Sequence, residues 1–218
     1  MTDLSLTATV GAIAASLPGA AEVFRKSGIS FCCGGKSSLS DAALAQGIEP
    51  AILLNQLQTL EDAAGRDAPD ATPALIAHIL SRYHDTHRVE LDALIPLAQR
   101  VETVHGDHED APLGLMDALI ALHDELDSHM QKEEQVLFPM MLKGGSPMIG
   151  QPIAVMRQDH DDTNKQLKRI EHITHGITLP LGACGSWTAL YIGLRKLSED
   201  LVTHMHLENT VLFPRFAA

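Results

Sequence analysis

The sequence is poor in aromatic residues, poor in cysteine and without any concentration of positive charge. Aromatics make up only 4% of the 218 residues, with Trp 1, Tyr 2 and Phe 5. Strand-rich folds draw on aromatic and β-branched side chains, so this scarcity favours helices packed on helices. The 45% of hydrophobic residues is enough for a core. Three cysteines cannot form an even disulfide framework. Two of them, Cys32 and Cys33, are neighbours whose direct bridging would strain the peptide between them. Free thiols in a reducing compartment are expected. Lys+Arg 16 against Asp+Glu 28 leaves a formal net charge of −12 with no basic run, which argues against nucleic acid or an anionic membrane as the main partner. No apolar run approaches the roughly 20 residues of a membrane span. Met1-Thr2-Asp3-Leu4 also lacks the basic region of a secretory signal, so the cytoplasm is the expected location. What the chain does have is histidine, 12 in all.

The first 65 or so residues read as a small helical module. Pro18 suits a first helical position, Gly28 a helix end, Cys33-Gly34-Gly35 a tight turn, and Pro50 the start of a helix towards Asp62. Two prolines and small polar residues over 66–73 read as a linker, which divides the chain into a module over 1–65 and a larger unit over 74–218. In the larger unit the apolar period becomes 3.6. Ile76, Ile79, Leu80, Tyr83, His84, His87, Leu91 and Leu94 mark one helix face, and Pro96 is expected to kink or end that helix. A second helix is expected from Pro112 to the Gly144-Gly145 break, a third over about Pro152 to Gly176, and a fourth after Cys184. The fold class is therefore all-α, an up-down four-helix bundle preceded by a small helical domain.

The fourth helix repeats the second. Adding 75 to Leu115, Leu119, Leu122, Leu126, His129, Met130, Glu133, Val136, Leu137, Phe138 and Pro139 reaches an identical residue type each time, from Leu190 to Pro214. The first and third helices match at an offset of 76, pairing His84 with His160 and Leu91 with Leu167. Two similar helical hairpins related by pseudo-twofold symmetry follow, and a site between them has paired ligands.

His129 and Glu133, like His204 and Glu208, stand one turn apart on the leucine face that points inward. A single such pair on a helix is usually solvated. Two in the same leucine frame, with His84 and His160 on the other apolar faces, put four imidazoles and two carboxylates inside the bundle. Burying them without compensation is costly, and metal ions are the natural compensation. Tetrahedral zinc would not use six such side chains, and structural zinc favours thiolates. With both glutamates bridging two octahedral metals, the protein fills about eight of roughly twelve positions. An oxo or hydroxo bridge then leaves about one open position on each metal, the environment of non-haem di-iron. Dioxygen or nitric oxide suits such positions, and ligand type alone leaves manganese and zinc open. His87 has Thr163 as its counterpart and is expected not to be a ligand, as are His123 and His206. Glu134, whose counterpart is Asn209, should miss the metals. Glu125, Asp200 or Asp159 are candidate hydrogen-bond acceptors for the ligands, with a solvated helix face as the equal alternative.

Phe31-Cys32-Cys33-Gly34-Gly35-Lys36, Arg82-Tyr83-His84-Asp85, His129 through Pro139, and Leu207-Glu208-Asn209 with Val211-Leu212-Phe213-Pro214-Arg215 together resemble the iron-sulfur cluster repair di-iron proteins, also called repair of iron centres proteins. The resemblance covers nearly the whole chain. It implies a hemerythrin-like bundle with two non-haem irons held by His84, His129, Glu133, His160, His204 and Glu208, the residues already reached from spacing. It also implies a role in restoring iron-sulfur clusters damaged by nitric oxide or oxidants, with damaged or apo iron-sulfur proteins as partners. Iron donation is the leading mechanism, since imidazoles and carboxylates release ferrous ion more readily than thiolate cages. The alternatives are nitric oxide reduction at the paired irons and a sensor of diatomic gases. Cys32 and Cys33 become candidates for receiving iron, carrying a nitrosyl group or exchanging thiols; the plainer reading is a buried turn. Cys184 lies outside both motifs. A homodimer is compatible with the sequence.

Overall fold

The computed structural model describes residues 4–31, 35–64 and 68–216. The expectations for Cys32 and Cys33 lie outside the described residues. The chain is helical, and its β-pairing among the described residues is an isolated bridge between Thr9 and Ser38. No described helix is long and apolar enough to cross a membrane.

Four short helices come first: α1 (Val10–Ser16), α2 (Ala20–Lys26), α3 (Leu39–Ala45) and α4 (Pro50–Ala63). Thr9 caps α1 by accepting a hydrogen bond from Ala12 N, and Ser38 caps α3 by accepting one from Asp41 N, each satisfying an N–H that the helix itself leaves free. Pro50 opens α4 as expected, whereas Pro18 lies one residue before the N-cap Gly19 of α2. The first residues of α1 pair with those before α3, through Val10 N to Ser37 O at 3.0 Å and Gly11 N to Gly35 O at 3.1 Å. This pairing needs glycine at both positions. A Cβ on Gly11 would meet the Gly35 backbone at 2.9 Å, and one on Gly35 would strike the Phe31 carbonyl oxygen. Val10, Ile13, Phe24, Phe31, Leu39, Leu53 and Leu57 form the core of this unit.

The bundle follows. Helix α5 spans residues 72–105, with Thr72–Ile79 passing through a π-helical turn, Leu80–His84, into Asp85–His105. Helix α6 spans 115–142, as Leu115–Lys132, a π-helical turn Glu133–Leu137 and Phe138–Leu142. Helix α7 is Gly150–Ile173. Helix α8 spans 185–215, as Gly185–His206, a π-helical turn Leu207–Leu212 and a final turn Phe213–Arg215. The four-helix bundle expected from the sequence is thus formed, with three differences in detail. Helix α6 starts at Leu115, because Gly114 takes φ 86° and Pro112 stays in the preceding turn. Helix α7 starts at Gly150 and ends at Ile173, slightly earlier at both ends than expected. Helix α5 does not end at Pro96. Both Pro96 and Asp92, whose carbonyl loses its partner there, are exposed, on the face where a freed oxygen costs least.

Close packing joins α5 to α6, α6 to α7, and α8 to α5. The N-terminal unit lies over the seam between α7 and α8. Gly11, Ala14 and Phe31 line a narrow cavity there with Asn164, Leu167 and Val202. Glu199 of α8 fastens it, accepting from Gly19 N at 3.1 Å and from Arg25 at 3.3 Å. The bundle has two apolar cores, one around Leu91, Leu119, Leu126, Leu194 and Leu201, the other around Ile79, Phe138, Met156 and Phe213. Along every long helix, the expected ligands fall between them.

Candidate metal centre

Three of the four helices widen where they reach this layer. Asp85 N–H bonds to Leu80 O, Phe138 N–H to Glu133 O, and Phe213 N–H to Glu208 O, each an i to i+5 bond. Such π turns concentrate at functional sites. In α6 and α8 each turn runs into a Phe-Pro pair, where the ring of Pro139 or Pro214 removes an ordinary i to i−4 bond. The turn places Glu133 or Glu208 at the layer of histidines while Leu137 and Phe138, or Leu212 and Phe213, stay in the core beyond it.

All six expected residues meet here, and all are buried: His84, Glu133 and Glu208 at 0%, His204 at 1%, His129 and His160 at 2% relative exposure. They form two donor sets, His84, Glu133, His204 and Glu208, and His129, Glu133, His160 and Glu208, with the donor atoms of each set within 4.8 Å of one another. Both glutamates belong to both sets. Glu133 Oε2 stands 3.3 Å from His84 Nε2 and 3.3 Å from His129 Nε2, one imidazole of each set. Glu208 repeats this on the other side, Oε1 3.0 Å from His204 Nε2 and Oε2 3.0 Å from His160 Nε2. The Nε2 atoms of His84, His129 and His160, both Glu133 oxygens and Glu208 Oε2 are buried without a hydrogen-bond partner. Buried polar atoms are rarely left so. Nitrogen and oxygen donors converging in two sets that share carboxylates fit a pair of cations.

The outward nitrogens find carboxylates in one half of each set. His84 Nδ1 lies 2.8 Å from Glu134 Oε1, which also accepts from Arg88 at 2.9 Å. His129 Nδ1 lies 3.5 Å from Asp159, itself bound by Lys132 at 2.8 Å. Glu134 lies outside both sets and bonds the outward nitrogen of His84, a contact the sequence did not suggest. Of the three acidic candidates, only Asp159 lies beside the outward nitrogen of one of the six, and without a hydrogen bond to it. Glu125 accepts from Gln166 on the surface. Asp200 pairs with both ends of the Arg82 guanidinium, which lies over Tyr83, whose ring stacks on His204 at 5.3 Å. Asp159 also lines a polar cleft between α6 and α7, with Glu125, Ser128, Lys132 and Gln166. His123 and His206 are outside the donor sets; His123 lies by Asp124, and His206 faces Ser16 O of the N-terminal unit.

Electrostatics keep the imidazoles ready to coordinate. Burial, then the neighbouring His204, lowers His84 to about 4, and burial lowers His204 to about 4. His129 is lowered by burial as well. Each therefore presents lone pairs at neutral pH. Burial and the facing Glu208 push Glu133 well above the usual carboxylate range. For Glu208 burial acts upward too, but His204 and His160 outweigh it and hold the group well below that range.

These features define a cation-binding helical bundle, and residues 75–216 match the Hemerythrin HHE cation binding domain; the chain belongs to that family. Residues 6–61 match a second model, ScdA_N, a domain of unknown function. Over nearly its whole length the chain is similar to proteins named iron-sulfur cluster repair protein YtfE. The one from Dickeya chrysanthemi (strain Ech1591) is 42% identical over 210 residues, 95% of each chain. That from Escherichia coli O8 (strain IAI1) is 44% identical over 214 residues, 96% of each. A probable iron-sulfur cluster repair protein of Haemophilus influenzae is 41% identical over 208 residues, 93% of each.

Proposed function

We propose that this chain is a non-haem di-iron protein of the cytoplasm that repairs iron-sulfur clusters damaged by nitrosative or oxidative stress, by supplying iron to the damaged or apo protein. The observation that carries the metal assignment is the sharing of Glu133 and Glu208 between two histidine pairs. In this reading His84 and His204 hold one iron, His129 and His160 the other, and the glutamates bridge them with an oxo or hydroxo group. Iron so held supplies a redox-active, exchangeable ferrous or ferric ion. The protein's part is to keep His84, His129 and His204 deprotonated, fix the His84 ring through Glu134, and exclude bulk water with the apolar cores on either side. The absence of thiolate from the donor set supports release over permanent retention. The repair role is supported by the relatives' names and the match in length.

We further divide the chain into a Cys32-Cys33 module over 1–65, a linker over 66–73 and the di-iron bundle over 74–218. The separate apolar cores and the two family matches support this division. The functional test is anaerobic transfer of labelled iron from the loaded protein to an apo-ferredoxin, with His129→Ala/His204→Ala as control. Ligand-dependent transfer is expected; iron retained by the loaded protein throughout would contradict donation.

A further inference from the structure

The six-donor arrangement leaves over one buried imidazole among the described residues. His87 is 0% exposed, yet belongs to neither donor set. Neither of its ring nitrogens has a hydrogen-bond partner. Nδ1 faces the Glu90 carboxylate at 3.8 Å, beyond direct hydrogen bonding. Glu90 Oε2 is likewise buried and unpartnered, while its other oxygen binds Lys196. The His87 ring lies 5.4 Å from the His204 ring, centre to centre, close to the 5.0 Å between His84 and His204 and the 4.9 Å between His129 and His160. In the other half of the repeat this position is Thr163, so the pseudo-symmetry of the centre breaks here.

A folded core does not hold a fully buried imidazole with both nitrogens idle unless something completes them. With a carboxylate beside Nδ1, a ring hydrogen on that side leaves a lone pair on Nε2. Next to a metal position such a lone pair coordinates the metal or accepts a hydrogen bond from a protic ligand of it. His87 stands outside the donor set formed with His84 and His204, which leaves the second role. We infer that His87, oriented by Glu90, accepts a hydrogen bond through Nε2 from water or hydroxide bound on the His84–His204 side of the centre. The two metal positions are then unequal, and the His84–His204 position holds its ion more tightly. This rests on the metal assignment above.

Cobalt(II) titration of the metal-free, full-length chain, followed by visible absorption against a competing chelator, separates the two. The native chain is expected to bind two ions with unequal dissociation constants. His87→Leu, which keeps the volume apolar, weakens the tighter constant by roughly 10–100-fold, the usual consequence of losing an outer hydrogen-bond partner. The weaker constant stays put, His87→Gln recovers part of the loss through its carbonyl, and Thr163→Val alters neither. Thermal melting of the metal-free proteins checks folding, and His87→Ala replaces any His87→Leu chain that does not fold. Unchanged constants in His87→Leu overturn the inference, as does a parallel loss of both constants that tracks a lower melting temperature, which makes His87 a packing residue. A native chain that binds no cobalt overturns the metal assignment and this inference with it. Native binding with an unaffected His87 variant overturns the inference alone.

Discussion

Glu133 and Glu208 each stand against an imidazole of both donor sets, whereas each histidine belongs to one set. Glu133→Ala is therefore expected to remove both metals, while His160→Ala first weakens one; metal analysis after dialysis distinguishes the two. Glu134 and Asp159 face the centre only through the outward nitrogens of His84 and His129, so Glu134→Gln and Asp159→Asn leave all six residues in place. Each should cost about 10–100-fold in metal affinity without lowering the count at saturation, measured by chelator competition. The metal-free protein should also sense acid through its imidazoles. His84 and His204 fall from 6.5 to about 4 on folding, so the unfolded chain takes up protons first as pH falls. Their contribution to stability is complete above about pH 6.5 and is lost on descent through about 4. Denaturation midpoints of the metal-free chain should drop over that window. That these six residues converge was legible because a repeat in one leucine frame puts identical chemistry at identical depth. Glu134 was not, since its counterpart is Asn209 and its partner His84 sits on another helix, a pairing that spacing within α6 cannot reveal.

At the scale of elements, helical periodicity disclosed the long helices, but not how three of them widen. The repeated Leu-Phe-Pro was visible as a motif, and a π turn precedes Pro139 and Pro214 in both copies. The turn ending at His84 has no proline and left no such mark. Pro96 does not end its helix, which leaves a kink as the other expectation for that position; both Pro96 and Asp92, four residues before it, are exposed. In the N-terminal unit, the glycine at position 35 serves a backbone pairing with Gly11 that turn propensity alone did not announce. Gly35→Ala should push the Phe31 carbonyl aside and cost about 1–3 kcal/mol by denaturant unfolding of the full chain. An unchanged midpoint would show that this pairing yields freely.

At the scale of the molecule, the N-terminal unit covers the α7–α8 seam, an arrangement that a linker-rich sequence left open. Glu171, buried in that seam near Arg25 and Glu199, is raised from 4.5 to about 7, chiefly by burial. A carboxyl raised on folding gives up its contribution as pH climbs through that interval. Glu171→Gln should therefore stabilise the chain at pH 8 by on the order of 2 kcal/mol and leave it nearly unchanged at pH 4.5. The measurement that bears most directly on the central claim is the iron content of protein purified from iron-replete cells, taken with its Mössbauer spectrum. About two coupled irons per chain are expected for a carboxylate-bridged pair, with essentially none in a Glu133→Ala/Glu208→Ala chain that still folds. A folded native protein without iron, or one whose irons survive the loss of both glutamates, would contradict the account.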